Sequence, residues 1–109
     1  MRLEKQEETA LKRFKEILTE QFGREIVSIH LFGSRARGNA HQESDIDILV
    51  LTRRDDWKLK EQIGKVATQI LLDHGIYLSV KVFGQTFHRK LVKVGSLFIR
   101  NIQREGILL

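Results

Sequence analysis

The chain has 109 residues, 41% hydrophobic and 30% charged, a length and balance that suit one globular domain over 1–109 and leave no room for a second core. Cysteine is absent, which excludes disulfides and thiolate metal sites, so any metal must be held by oxygen or imidazole ligands. The formal charge of +5 is unevenly placed: residues 1–80 hold 13 Lys+Arg against 13 Asp+Glu, while residues 81–109 hold Lys81, Arg89, Lys90, Lys93, Arg100 and Arg104 against Glu105 alone.

The first stretch, MRLEKQEETALKRFKE, alternates charged with apolar residues and does not read as a secretory signal. No apolar run approaches the roughly 18 residues of a membrane span. A soluble cytoplasmic protein is the expectation. Residues 3–22 read as a helix, because Leu11, Phe14, Leu18 and Phe22 recur at helical spacing and Leu3, Ala10 and Ile17 widen the same face. Gly23 is a natural stop. EIVSIHLF, residues 25–32, is rich in β-branched residues and alternates, so it predicts a strand. GSRARGNAHQES, residues 33–44, is too polar for the core. DIDILVLT, residues 45–52, predicts a second strand, buried after its first three residues.

Residues 55–74 form the next predicted helix, with Trp57, Ile63, Val66, Ile70 and Leu71 facing inward and Gly75 closing it. IYLSVKVF, residues 76–83, alternates with Ile76, Leu78, Val80 and Val82 on one face and Tyr77, Ser79, Lys81 and Phe83 on the other. The strand–helix–strand unit over 45–83 predicts parallel strands and a right-handed crossover. Helices over about 86–93 and 96–105 finish the chain, with Ser96 as N-cap and Gly106 as stop. This order implies an α/β (α+β) fold. Three main strands form a small mixed sheet with helices packed on one face, and the other face stays partly open for a site.

Gly33-Ser34 ends the first strand, and Asp45-Ile46-Asp47 opens the second, with ten residues between Ser34 and Asp45. In a strand, residues i and i+2 project to the same face, about 7 Å apart at their Cα atoms, so Asp45 and Asp47 can converge on one cation. Two like charges so close repel, and a divalent ion relieves them. Hard oxygen donors favour Mg²⁺ or Mn²⁺, which complete their shells with substrate phosphates. The glycine-serine turn brings backbone close to a phosphate, and Arg35 and Arg37 offer forked donors suited to it. Each half alone is weak evidence, and neither GxGxxG nor GxxxxGK[ST] is present.

The two halves together are specific. Phe32-Gly33-Ser34-Arg35-Ala36-Arg37-Gly38 followed by Ser44-Asp45-Ile46-Asp47-Ile48-Leu49-Val50 closely resembles the signature of nucleotidyltransferases related to DNA polymerase beta. More narrowly, it is similar to the minimal nucleotidyltransferases of prokaryotes, short proteins often encoded beside a HEPN-domain partner. The strong match covers residues 30–51, and the run from Ser96 to Gly106 is similar to the ends of some members. The resemblance implies a polymerase-beta-like nucleotidyltransferase fold. Gly33 and Ser34, with Arg35 and Arg37, would hold the triphosphate of an incoming nucleotide, usually ATP. Asp45 and Asp47 would be catalytic, coordinating Mg²⁺ as a hydroxyl of a protein or nucleic acid attacks the α-phosphate and pyrophosphate departs. The resemblance further implies that in partnered members the accepting hydroxyl can be that of a tyrosine on the HEPN protein, a ribonuclease toxin that AMP transfer silences.

One feature departs from the pattern. Fully equipped members carry a third carboxylate on the strand beside the Asp pair, and IYLSVKVF has no acid; Ser79 or Lys81 stands at that position. Glu43, Asp55 and Asp56 cannot be assigned the role from spacing. The alternative to an enzyme is therefore a catalytically weak or inactive antitoxin that binds and neutralises a HEPN-type protein. A nucleic-acid-binding module would draw on the basic last quarter alone, which lacks a stacking platform of aromatics. His30, His41 and His74 read as structural or exposed, Trp57 as core, and His88, Arg89, Lys90 and Lys93 as a basic helical surface. The apolar tail Ile107-Leu108-Leu109 and the open sheet face suit burial in a homodimer or against a partner.

Overall fold

The computed structural model describes residues 3–38 and 45–109, so His41, Glu43 and Ser44 lie outside the described residues. Helix α1 spans Lys5–Phe22 and buries Ala10, Leu11, Phe14 and Leu18, the spacing that marks one helical face. Glu7 caps its start by accepting the backbone N–H of Glu4 at 2.9 Å. Gly23, at φ 44°, ends it by donating its N–H to the Thr19 carbonyl. A short 3₁₀ turn, Gly23–Glu25, leads into strand β1, Ile26–Phe32.

A single helical turn α2, Ser34–Arg37, follows β1, and strand β2 covers Ile46–Thr52. Helix α3, Trp57–His74, is capped by Asp56, whose carboxylate accepts the N–H groups of Lys58 and Leu59, and it ends at Gly75 in the left-handed region. Strand β3, Leu78–Gly84, helices α4, Gln85–Lys93, and α5, Leu97–Glu105, and a two-residue strand β4, Ile107–Leu108, complete the chain. The sheet order is β3-β2-β1-β4. β1 runs antiparallel to β2 and to β4, whereas β3 runs parallel to β2, as a strand–helix–strand unit requires.

The side chains sort by strand alternation. Ile29 and Leu31 of β1, Ile46, Ile48 and Val50 of β2 and Leu78 of β3 join the buried residues of α1 and α3 in the main core. Phe14, Leu18, Ile63 and Ile70 are almost wholly enclosed, each contributing about 1.5–3 kcal/mol of burial. The two long helices lie on one face, as the order of elements implies. Part of the opposite face is also covered: Leu49 and Leu51 pack against Ile102 of α5, with Phe32, Phe83 and Phe98 around them. Phe98 meets Phe32 and Phe83 edge-on, with ring centroids 5.3 and 6.0 Å apart.

Several placements differ from the sequence expectation. Trp57 is 70% exposed, because it is the first residue of α3 and the inward face begins at Leu59. Leu71 is likewise at the surface, 40% exposed. The apolar tail also pairs within the chain, with Leu108 still 67% exposed. β4 lies along the outer edge of β1, and the Leu109 N–H donates to the Ile29 carbonyl at 2.9 Å, satisfying an edge otherwise left open.

Candidate functional site

The motif halves meet at one end of the β1–β2 pair. β1 stops at Phe32, which stands opposite Asp47 in the antiparallel register. Gly33 then adopts φ 77°, ψ −161°, a region open in practice only to glycine, and swings the chain into α2. Gly38, at φ 80°, closes that turn and donates its N–H to the Ser34 carbonyl at 3.1 Å. Ten residues of sequence thus separate parts that touch in space. The Asp47 carboxylate lies against the Cα of Gly33, so closely that a β-carbon there would stand 2.5 Å from Oδ2 and 3.3 Å from Cγ. Only a residue without a side chain admits this approach.

Asp45 immediately precedes β2 and is exposed, while Asp47 is half-buried. Burial raises the Asp47 carboxyl above its ordinary 3.8, the like charge of Asp45 raises it further, and Lys81 opposes both. The two acids therefore repel each other. A divalent cation would relieve both the desolvation and the repulsion. The donor set suits a hard cation that takes its remaining ligands from phosphates, since two carboxylates lie beside a glycine-lined backbone turn and the half-buried Ser34. Asp45 and Asp47 are the residues that could hold such an ion.

The arginines separate. Arg35 is buried: its side chain is 4% exposed, and Nη1 donates to Glu7 Oε1 of α1 at 2.6 Å. Burial acts to raise the Glu7 carboxyl, but the hydrogen bonds from Arg35 and from the Glu4 backbone, with the Arg35 charge, leave it below its ordinary 4.5. Arg35 thus ties α2 to α1 through Glu7. Arg37 stays at the surface and pairs with Glu105 of α5 at 3.4 Å. On β3, Ser79 stands opposite Asp47 and Lys81 opposite Leu49. Among the described residues no group of three or more acids or histidines comes together.

The remaining candidates belong to the scaffold. His30 lies one row in from Phe32 and shares a 2.8 Å hydrogen bond with the Ser28 hydroxyl. Burial, then the charge of His88, lowers its pKa below 6.5. Asp55 accepts the Gly84 N–H at 3.0 Å and ties the end of β2 to the end of β3. A cleft of about 540 Å³ lined by Arg54, Trp57, Lys60, Phe83 and Phe87 sits at that far end. It is remote from Asp47, and its two acids are engaged by the scaffold, Asp55 with the Gly84 N–H and Asp56 with the start of α3, so the carboxylate-bearing edge is the better candidate.

Comparison with known proteins bears on this edge. Residues 11–108 match the model of the nucleotidyltransferase domain family. The chain belongs to this family. The nucleotidyltransferase domain is 35% identical over 103 residues to a Methanocaldococcus jannaschii protein named as a protein adenylyltransferase, covering 94% of this chain and 97% of the relative. A solved structure described as a minimal nucleotidyltransferase superposes with a TM-score of 0.58 at 25% identity, covering 94% of both chains. A chain of the toxin–antitoxin MntA–HpeT crystal structure gives the same TM-score of 0.58 at 20% identity, over 91% of this chain and 70% of that one, and shares the fold. The nucleotidyltransferase family implies a nucleoside triphosphate substrate and a divalent metal. No helix among the described residues is long and apolar enough to cross a membrane.

Proposed function

We propose that this nucleotidyltransferase domain binds a magnesium-complexed ATP at the Gly33–Asp47 edge and transfers AMP to a hydroxyl of a protein. The single observation that carries the reading is the contact between the Asp47 carboxylate and the bare backbone of Gly33, which joins the two halves of the motif. Gly33 and Ser34 bind the triphosphate through backbone and hydroxyl donors, and Arg37 adds positive charge at the rim. Asp45 and Asp47 hold the divalent ion, and their mutual repulsion in its absence favours its uptake. When bound, that ion neutralises the triphosphate and the departing pyrophosphate. The acceptor hydroxyl is positioned on the uncovered part of the sheet face beside Ser79.

Protein as acceptor is favoured by the relative named as a protein adenylyltransferase, which aligns over nearly its whole length. A HEPN-domain protein is the partner that the motif's resemblance implies, and the toxin–antitoxin neighbour fits a paired arrangement. A second reading, nucleotide binding without turnover in a neutralising module, draws on the absence of an acid from β3. Incubation with ATP labelled at the α-phosphate, Mg²⁺ and candidate acceptor proteins separates the two. Label is expected on an acceptor hydroxyl, and Asp47→Asn should abolish it. If ATP binds yet no acceptor becomes labelled, the second reading stands and transfer is refuted.

A further inference from the structure

The sheet face beside the motif carries a lysine whose position has chemical consequences. β3 runs parallel to β2 with Ser79 opposite Asp47 and Lys81 opposite Leu49. Lys81 is therefore the diagonal neighbour of Asp47 on the same face, a relation in which Cα atoms lie about 7–8 Å apart and a long side chain can reach across. It is exposed and free to turn toward the carboxylate edge. Its charge already acts on Asp47 with the sign opposite to that of Asp45. Besides Asp47, the other strand positions on this face are Ser28, His30, Phe32, Leu49, Leu51, Ser79, Phe83 and Leu108, none of which is a lysine or arginine.

Transfer through two metal ions needs the ions about 3.5–4 Å apart, bridged by acidic ligands that offset their combined charge. Here Leu78–Gly84 contributes no acid, and no third carboxylate or histidine joins the Asp pair among the described residues. An ammonium beside the pair repels a second free cation. That same ammonium, tethered by four methylenes, can face phosphate oxygens without any ligand set.

We infer that Lys81 takes the place of a second metal ion: Asp45 and Asp47 hold one divalent cation, and the Lys81 ammonium supplies the other positive charge to the bound triphosphate. The inference rests on the nucleotide reading above. It assigns Lys81 to substrate phosphate, and it makes the site a one-metal site by construction of β3 rather than by weak binding.

The test counts metal. Manganese bound per molecule of protein-bound α,β-methylene-ATP is measured by equilibrium dialysis and electron paramagnetic resonance, with folding of each variant checked by circular dichroism. The wild-type protein is expected to hold one Mn²⁺ per nucleotide, and Lys81→Glu, which places an acid at this position, two. Lys81→Met should keep one ion and bind the analogue about tenfold more weakly, as loss of one charged contact implies. Two ions on the wild-type protein overturn the inference while leaving the nucleotide reading intact. One ion on Lys81→Glu, or undiminished analogue affinity in Lys81→Met, also overturns it. If neither manganese nor the analogue binds the wild-type protein, the nucleotide reading itself fails and takes this inference with it.

Discussion

Replacing Gly33 with alanine probes the joint between the motif halves. The native backbone, φ 77° and ψ −161°, lies where an L-residue is strained, at a cost of about 1–3 kcal/mol. The new methyl would also sit 2.5 Å from Asp47 Oδ2, well inside van der Waals contact, so the carboxylate must rotate away or the end of β1 must shift. For a domain near this size, 1 kcal/mol moves the melting temperature by roughly 4 °C, so Gly33→Ala should melt roughly 4–12 °C lower. Displacing the carboxylate should remove cation binding as well. At a hundredfold excess over its dissociation constant, a ligand adds about 2.7 kcal/mol, roughly 10 °C by the same conversion. Differential scanning calorimetry with and without Mn²⁺ and ATP measures both effects. Gly64→Ala is the control: it lies in α3 with nothing within 4 Å of where a β-carbon would stand and should gain about 0.5–1 kcal/mol. A Gly33→Ala protein that melts with the wild type and keeps the full ligand shift would refute the reasoning.

Three further outcomes follow from the same geometry. Arg35→Met removes the guanidinium from the half-buried Glu7 carboxylate and should destabilise by about 2 kcal/mol in urea titrations, whereas Arg37→Ala, which breaks an exposed pair, should cost no more than about 1 kcal/mol. Because the folded Glu7 carboxyl is held below 4.5, its contribution is complete above that value and is lost as pH falls through the lower folded pKa. Stability measured from pH 6 down to pH 3 should therefore fall more steeply in the wild type than in Arg35→Met. Burial and Asp45 raise the Asp47 carboxyl, so its ionised form is less favoured in the fold than in the unfolded chain. Asp47→Asn should accordingly raise the metal-free melting temperature while erasing the metal-dependent rise. An unchanged metal-dependent rise in that variant would remove Asp47 from the cation site.

Much of this arrangement is legible in the order of the residues alone. Helix ends announce themselves through Gly23, Gly75 and Gly106, and the parallel pairing of β2 and β3 follows from a strand–helix–strand unit too long to be a hairpin. The grouping of Asp45 with Asp47 follows from the two-residue period of a strand, and their nearness to Gly33 from the antiparallel pairing of the strands that the motif connects. What escapes depends on partners distant in sequence. Nothing local distinguishes Arg35 from Arg37, since the difference is Glu7, 28 positions upstream, at the edge of the core. The amphipathic pattern of α5 shows that it has a buried face without saying which layer receives it, so its cover over Leu49 and Leu51 is not readable. A two-residue strand such as β4 leaves no periodicity to detect. The helical turn α2 does leave a trace, in the bracketing pair Gly33 and Gly38 around four residues that contain no β-branched side chain.

Asp45 and Asp47 stand at the centre of the proposed function as a cation-dependent nucleotide site. Isothermal titration of ATP into the folded domain tests that role most directly, with Mg²⁺ present and withheld, for the wild-type protein and for Asp45→Asn combined with Asp47→Asn. The prediction is binding by the wild type only when Mg²⁺ is present, and none by the double variant even though it remains folded. Equal binding without the metal, or retention of full affinity by the double variant, would contradict it.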